Sequence, residues 1–297
     1  MSTIDSVTRR ILTTFFIGTF ILAAAFVTGC KKNDNNPVSN STTVTPSDDV
    51  ADAADAVSDA LASNNGGAMD QVNDVFEIAG GVGVGGGVLG KTSSDTTIVA
   101  SEYDSTSMSW ITNTFKTQSN LPLYYGIWTR VHLLQFRADG NAQKFRVTKS
   151  VVADTILHQL TGGTGYFFTP RLVHHLLSIG SNWIASNTNT DTVTINGSYN
   201  WSGIDTIQAP AARKGRVLVH TIALTFVNVK GPRGTRWARS VKTSGTIICT
   251  YTATVTVPGK ASYIVTKTFT IVLGAGDATF SIDGTKFVSD LATGDPQ

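Results

Sequence analysis

From about Thr96 to Leu291 apolar and polar side chains alternate over long runs, and this period of two limits the fold more than any other feature. Val193, Ile195, Tyr199 and Trp201 stand against Thr192, Thr194, Asn196, Ser198 and Asn200. Ile247, Cys249, Tyr251, Val255 and Val257 oppose Thr250, Thr252, Thr254 and Thr256, and Tyr263, Val265, Phe269, Ile271 and Leu273 oppose Thr266, Thr268 and Thr270. Successive side chains of a strand point to opposite faces, so the pattern predicts strands with one large apolar face and one threonine face. Parallel strands buried on both faces do not alternate, so the sheet is expected to be antiparallel with one face in solvent. Turn sequences punctuate it at Ala138-Asp139-Gly140-Asn141, Gly162-Gly163-Thr164-Gly165, Gly231-Pro232-Arg233-Gly234, Pro258-Gly259-Lys260, Gly274-Ala275-Gly276-Asp277 and Asp283-Gly284. Long strands such as 123–137 and 216–229 joined by tight turns make a meander. The expected fold class is mainly β, a large curved antiparallel meander (half-barrel, barrel or sandwich) preceded by a short acidic helical segment.

The N-terminus sets the address. Arg9 and Arg10 precede an uncharged run of sixteen residues, 11–26, which is short for a spanning helix. It ends in Val27-Thr28-Gly29-Cys30. A basic start, an apolar run and small residues directly before a cysteine resemble the type II signal peptide and lipobox of bacterial lipoproteins. The resemblance implies cleavage before Cys30, lipidation of its sulfur and anchoring by two or three acyl chains. Lys31 in place of Asp favours the outer membrane, on its periplasmic face or at the cell surface. Residues 1–29 are then the signal peptide and 30–47, rich in Asn, Ser, Thr and Pro, a disordered tether. A transmembrane barrel is disfavoured by such an anchor, by a C-terminal tail without a final aromatic residue and by uneven strands.

Residues 48–80 carry eight acids and no Lys or Arg. Val50, Ala54, Val57 and Leu61 fall at helical spacing, with Asp48 and Asp49 in the first turn; Met69, Val72, Phe76 and Ala79 predict a second helix closed by Gly80-Gly81. Residues 81–95 form a Gly-rich joint and 96–297 the antiparallel β domain. Within the joint, Gly81-x-Gly83-x-x-Gly86 and Gly85-x-x-x-x-Gly90-Lys91-Thr92 match nucleotide-binding patterns by the letter. Those loops need a strand before and a helix after, because phosphate is held at a helix N-terminus. The order here is reversed, so a flexible joint is the expected reading and no cofactor is expected.

The net charge of +2 conceals an asymmetry. Residues 30–110 hold three Lys against twelve acids, whereas 111–297 hold eighteen Lys and Arg against eight Asp. Thr206 to Gly276 contains no acid but ten cations, among them Arg213, Arg216, Arg233, Arg236, Arg239 and Lys267. Such a field attracts anions, in this compartment anionic lipid, lipopolysaccharide or acidic polysaccharide, and nucleic acid is excluded by address. The alternative is that the acidic helices pack against the basic sheet and cancel it internally.

Reactive chemistry is sparse. With Cys30 lipidated, Cys249 is alone in a strand pattern and reads as buried and inert. His174 and His175 are adjacent on a strand and point to opposite faces, so they cannot share a metal; His132, His158 and His220 lie apart without ligand spacing, and no hydrolase elbow or zinc-protease motif is present. No metal site and no catalytic residue is expected. Arg130, His132, His220 and Lys267 fall among core-facing positions and must pair, snorkel or line a cavity. Together with Arg233, Arg236 and Arg239 they are the candidate anion or ligand contacts. The sequence therefore reads as a non-enzymatic envelope lipoprotein, a binding or structural module for an envelope protein. The alternative is a half-barrel carrier or receptor for lipid or another hydrophobic ligand, a likeness that rests on architecture alone.

Overall fold

The computed structural model describes residues 46–81, 96–120, 124–234, 243–274 and 276–297. Cys30, the glycine-rich joint beyond Gly81, Arg236 and Arg239 lie outside the described residues, as does the tether except for Pro46 and Ser47, which open the first helix.

Helix α1 spans Pro46–Leu61 and α2 spans Ala68–Gly80. Proline suits a first helical turn, where its missing N–H is not needed, and Asp48 and Asp49 complement the helix dipole there. Gly81 closes α2 in the left-handed conformation (φ 88°) and donates its N–H to the Glu77 and Ile78 carbonyls. Among the described residues no helix is long and apolar enough to cross a membrane.

Fourteen strands follow in the described residues: β1 (Thr96–Asp104), β2 (Ser109–Asn120), β3 (Tyr124–Ala138), β4 (Asn141–Gln143), β5 (Val147–Thr148), β6 (Val151–Val152), β7 (Thr155–Phe168), β8 (Leu172–Ser186), β9 (Thr192–Ile207), β10 (Val217–Pro232), β11 (Ser244–Thr256), β12 (Tyr263–Leu273), β13 (Asp277–Ile282) and β14 (Thr285–Asp290). Strands β5 and β6 form a small separate hairpin; the rest make one antiparallel sheet in the order β1-β2-β3-β7-β8-β9-β10-β11-β12-β13-β14, with β4 on β3. The fold is thus mainly β, a single large meander, as the alternation and turn sequences predict. It is not closed: β1 and β14 do not pair with each other. Asp139-Gly140 and Asp283-Gly284 each take positive φ at both residues, the two-residue turn whose twist matches that of the strands it joins.

The sheet curves around the helices. A helix lying on a flat sheet keeps one face in water, yet every residue of α2 from Ala68 to Ala79 is buried. Lys116 on β2 reaches Asp70 of α2, and Tyr263 on β12 reaches Asp49 of α1. These strands stand seven neighbours apart, about 34 Å across a flat sheet at ~4.8 Å per strand. Register shifts at Val131/His132, Leu176/Ser178 and Phe226/Val229 supply local bends of the kind that bulges introduce. Trp128, Trp183, Trp201, Tyr199, Phe167 and Phe226 fill the inner face, whereas Thr250, Thr252, Thr254, Thr266, Thr268 and Thr270 are exposed on the outer one. Close packing of helix on sheet depends on Gly231, because a Cβ there would lie 2.2 Å from the Phe76 ring.

Candidate functional site

The helices meet the sheet through charge. Asp52 is gripped by Arg213 at 2.8 Å and Arg216 at 2.6 Å, and Asp55 also receives Arg213 at 2.9 Å. Asp59 accepts from Arg171 at 2.9 Å and from Asn65 at 2.7 Å. Asp70 accepts from Lys116 at 2.7 Å and Arg130 at 2.8 Å, and Arg130 also donates to the Gly66 carbonyl. The acidic helices and the basic sheet therefore neutralise one another inside the molecule, which is the second of the two readings of the charge asymmetry. Around such pairs the charges are desolvated, so removing one partner strands the other.

Four of the five histidines face the interior: His132, His158, His174 and His220 are buried and His175 is exposed on the opposite face from His174. They form two groups. In the first, Thr114 Oγ1 lies 3.1 Å from His132 Nε2, and His132 Nδ1 lies 3.2 Å from His158 Nε2. Burial pushes the pKa of His158 down to about 4 and that of His132 well below the usual imidazole value; Arg130 adds to both. His158 stacks on Trp183 at 5.8 Å.

In the second group, β8, β9 and β10 bring His174, Asp205 and His220 together. Asp205 is the register partner of His174, and His220 is that of Gly203, two residues along β9. His174 Nδ1 lies 2.5 Å from Asp205 Oδ1 and His220 Nε2 lies 2.9 Å from Asp205 Oδ2. One potential ligand atom from each residue falls within 4.8 Å of the other two. His174 is clamped between Phe167 at 4.7 Å and Trp201 at 5.0 Å, over the space that the missing side chain of Gly203 leaves. Burial works against the Asp205 charge, but the imidazoles of His220 and His174 outweigh it and hold the carboxyl far below the usual range. Burial lowers the pKa of His174 although Asp205 pulls it upward. Nearby Asp59 is raised well above the ordinary carboxyl value, first by burial and further by the charges of Asp55 and Asp205, and its Oδ2 has no hydrogen-bond partner.

The candidate contacts named from sequence that are described, Arg130, His132, His220, Arg233 and Lys267, do not converge. Arg130 is held by Asp70 and Gly66, His132 by Thr114 and His158, and His220 by Asp205. Lys267 is part-exposed and paired with Asp283 at 2.6 Å. It lies where β12 has lost its next neighbour, since β13 pairs only with Ile271–Leu273, and its side chain escapes sideways to the β13–β14 turn. Arg233 sits near the surface, 3.7 Å from Asp191. His174 and His175 face opposite sides as the alternation predicts, but His174 meets His220 through Asp205 across three strands, which sequence spacing did not show. The signal was present in the alternation, where Tyr199, Trp201, Gly203, Asp205 and Ile207 share one face; the register that joins it to β8 and β10 was not. Cys249 is buried, and burial pushes its thiol up to about 12.

A depression beside Asn65, about 340 Å³ and lined among others by Asn64, Tyr124, Thr169 and Thr293, is mixed in polarity. Comparison with known protein families, curated proteins and solved structures finds no match.

Proposed function

We propose that the chain is a lipid-anchored protein of a bacterial cell envelope whose β domain acts without catalysis, as a structural or binding module engaged from the outside of its sheet. The observation that carries this reading is the filled concave face: α2 is buried from Ala68 to Ala79, and Asp70 together with the aspartates of α1 occupies Lys116, Arg130, Arg171, Arg213 and Arg216. A carrier needs that space for its cargo. Surfaces open to a partner, in the described residues, include the threonine face and the edge of β1, which pairs only with β2. On the threonine face, hydroxyls of neighbouring strands approach at 3.4 Å (Thr252 and Thr266) and 3.5 Å (Thr250 and Thr268). The lipobox ending in Cys30 supports the anchor, and the partner class it implies is another envelope protein.

Labelling with radioactive palmitate in a Gram-negative host, followed by fractionation, tests the anchor. Label and membrane retention should both disappear in Cys30→Ser; retention without label refutes it. Native mass spectrometry of the gently extracted protein tests the filled interior. The expected mass is that of the acylated chain or its oligomer, and a stoichiometric non-covalent lipid would overturn the module in favour of a carrier.

A further inference from the structure

The aspartates of α1 and α2 described above meet arginine or lysine on the sheet, but Asp205 does not: its described partners are two imidazoles. A buried carboxylate is costly to leave without a cation. If His174 and His220 served it only as neutral hydrogen-bond donors, its charge would remain uncompensated. His174 Nε2 and both ring nitrogens of His220 are buried without a hydrogen bond, His220 Nε2 only facing Asp205 at 2.9 Å, so no second acceptor stabilises a doubly protonated ring either. The side chains are 2%, 2% and 0% exposed for His174, Asp205 and His220. Their three inward atoms converge from separate strands within 4.8 Å.

We propose that His174, Asp205 and His220 bind one divalent transition-metal ion of the zinc class. Two imidazole nitrogens and one carboxylate oxygen are the donor set that such ions take, at distances of about 2.0–2.2 Å. Metal binding requires a neutral imidazole and an ionised carboxylate, so the ion displaces ring protons as it enters. The stacked faces of Phe167 and Trp201 fix the His174 ring in place, and Gly203 leaves it room. The Asp205 charge that the core otherwise leaves open then has a cation beside it. Cu2+ and Ni2+ suit the same donors, and selection among them follows supply.

The full chain in detergent, stripped with a chelator and dialysed, is titrated with Zn2+ by calorimetry and with Cu2+ under electron paramagnetic resonance. The expected result is one Zn2+ per chain and a Cu2+ spectrum with coupling to two imidazole nitrogens. Asp205→Asn and His220→Gln should each weaken Zn2+ binding at least ~10-fold while His158→Gln, in the other histidine group, leaves it unchanged. Absence of stoichiometric Zn2+ binding by the folded chain overturns the proposal, as does binding that survives both substitutions or is lost in His158→Gln. If either variant fails to fold, the nitrogen coupling in the unsubstituted chain decides: two nitrogens support the site, and one or none refutes it.

Discussion

His158 should make the protein lose stability on mild acidification. Its folded pKa is about 4 against 6.5 for an ordinary histidine, because burial and then the charge of Arg130 oppose protonation. The unfolded chain takes up this proton near 6.5 while the folded chain refuses it until about 4, so falling pH draws the equilibrium toward unfolding; the stabilisation is full above 6.5 and gone below the folded value. At about pH 5 the unfolded form is favoured by roughly 1.5 pKa units at ~1.36 kcal/mol each, or about 2 kcal/mol. This is a sizeable fraction of a typical domain stability of about 5–15 kcal/mol. Above about pH 5 the ordinary carboxyls have scarcely begun to titrate, and His132 and His174, whose pKa values burial also lowers, are common to the native chain and a variant at position 158. Urea unfolding followed by tryptophan fluorescence, with a chelator present, would give the stability of the native chain and of His158→Gln across this interval. The offset from the substitution itself cancels in the comparison of slopes. Between about pH 7.5 and 5 the native chain should lose about 2 kcal/mol more than the variant. Equal slopes would refute the reasoning and would mean that His158 reaches water or a proton partner in the native state.

Two further substitutions probe the helix–sheet contact. Asp70→Ala leaves Lys116 and Arg130 buried without their carboxylate and should cost about 3–5 kcal/mol in urea unfolding; a loss below about 1 kcal/mol would show that the two cations reach solvent. Gly231→Ala drives a methyl into the Phe76 ring and should cost about 1–3 kcal/mol, with part of the loss recovered in the double variant with Phe76→Leu; simple additivity would place the strain elsewhere.

Much of the fold can be read directly from residue order. Thr250 to Thr256 and Thr266 to Thr270 announce their strands because a solvated sheet face requires polar alternation, and the two helices appear at the expected spacing, ending at Gly81. The separation of charge is equally visible, but which acid meets which cation is not. Asp52 and Arg216 are brought together only when α1 lies inside the curve of the sheet, and nothing local to either residue encodes that. The histidine groups were hidden for a related reason. Facing direction follows from a period of two, whereas neighbourhood across strands depends on register, and register here shifts at Val131/His132, Leu176/Ser178 and Phe226/Val229. Lys267 meets the requirement to pair, because β13 joins β12 only at Ile271–Leu273 and leaves the side chain room to reach Asp283.

The hairpin formed by α1 and α2 precedes every described strand along the chain yet ends up enclosed by the sheet. Contacts that hold it join residues 112 apart (Arg171 and Asp59), 164 apart (Arg216 and Asp52) and 214 apart (Tyr263 and Asp49). A chain delivered from its N-terminus therefore presents an acidic core before any of its enclosing strands exist, and closing such distant contacts is slow. Truncation at Pro232 would remove β11 to β14 and uncover the hairpin on one side, so shortened forms should be caught as aggregating intermediates rather than as smaller domains.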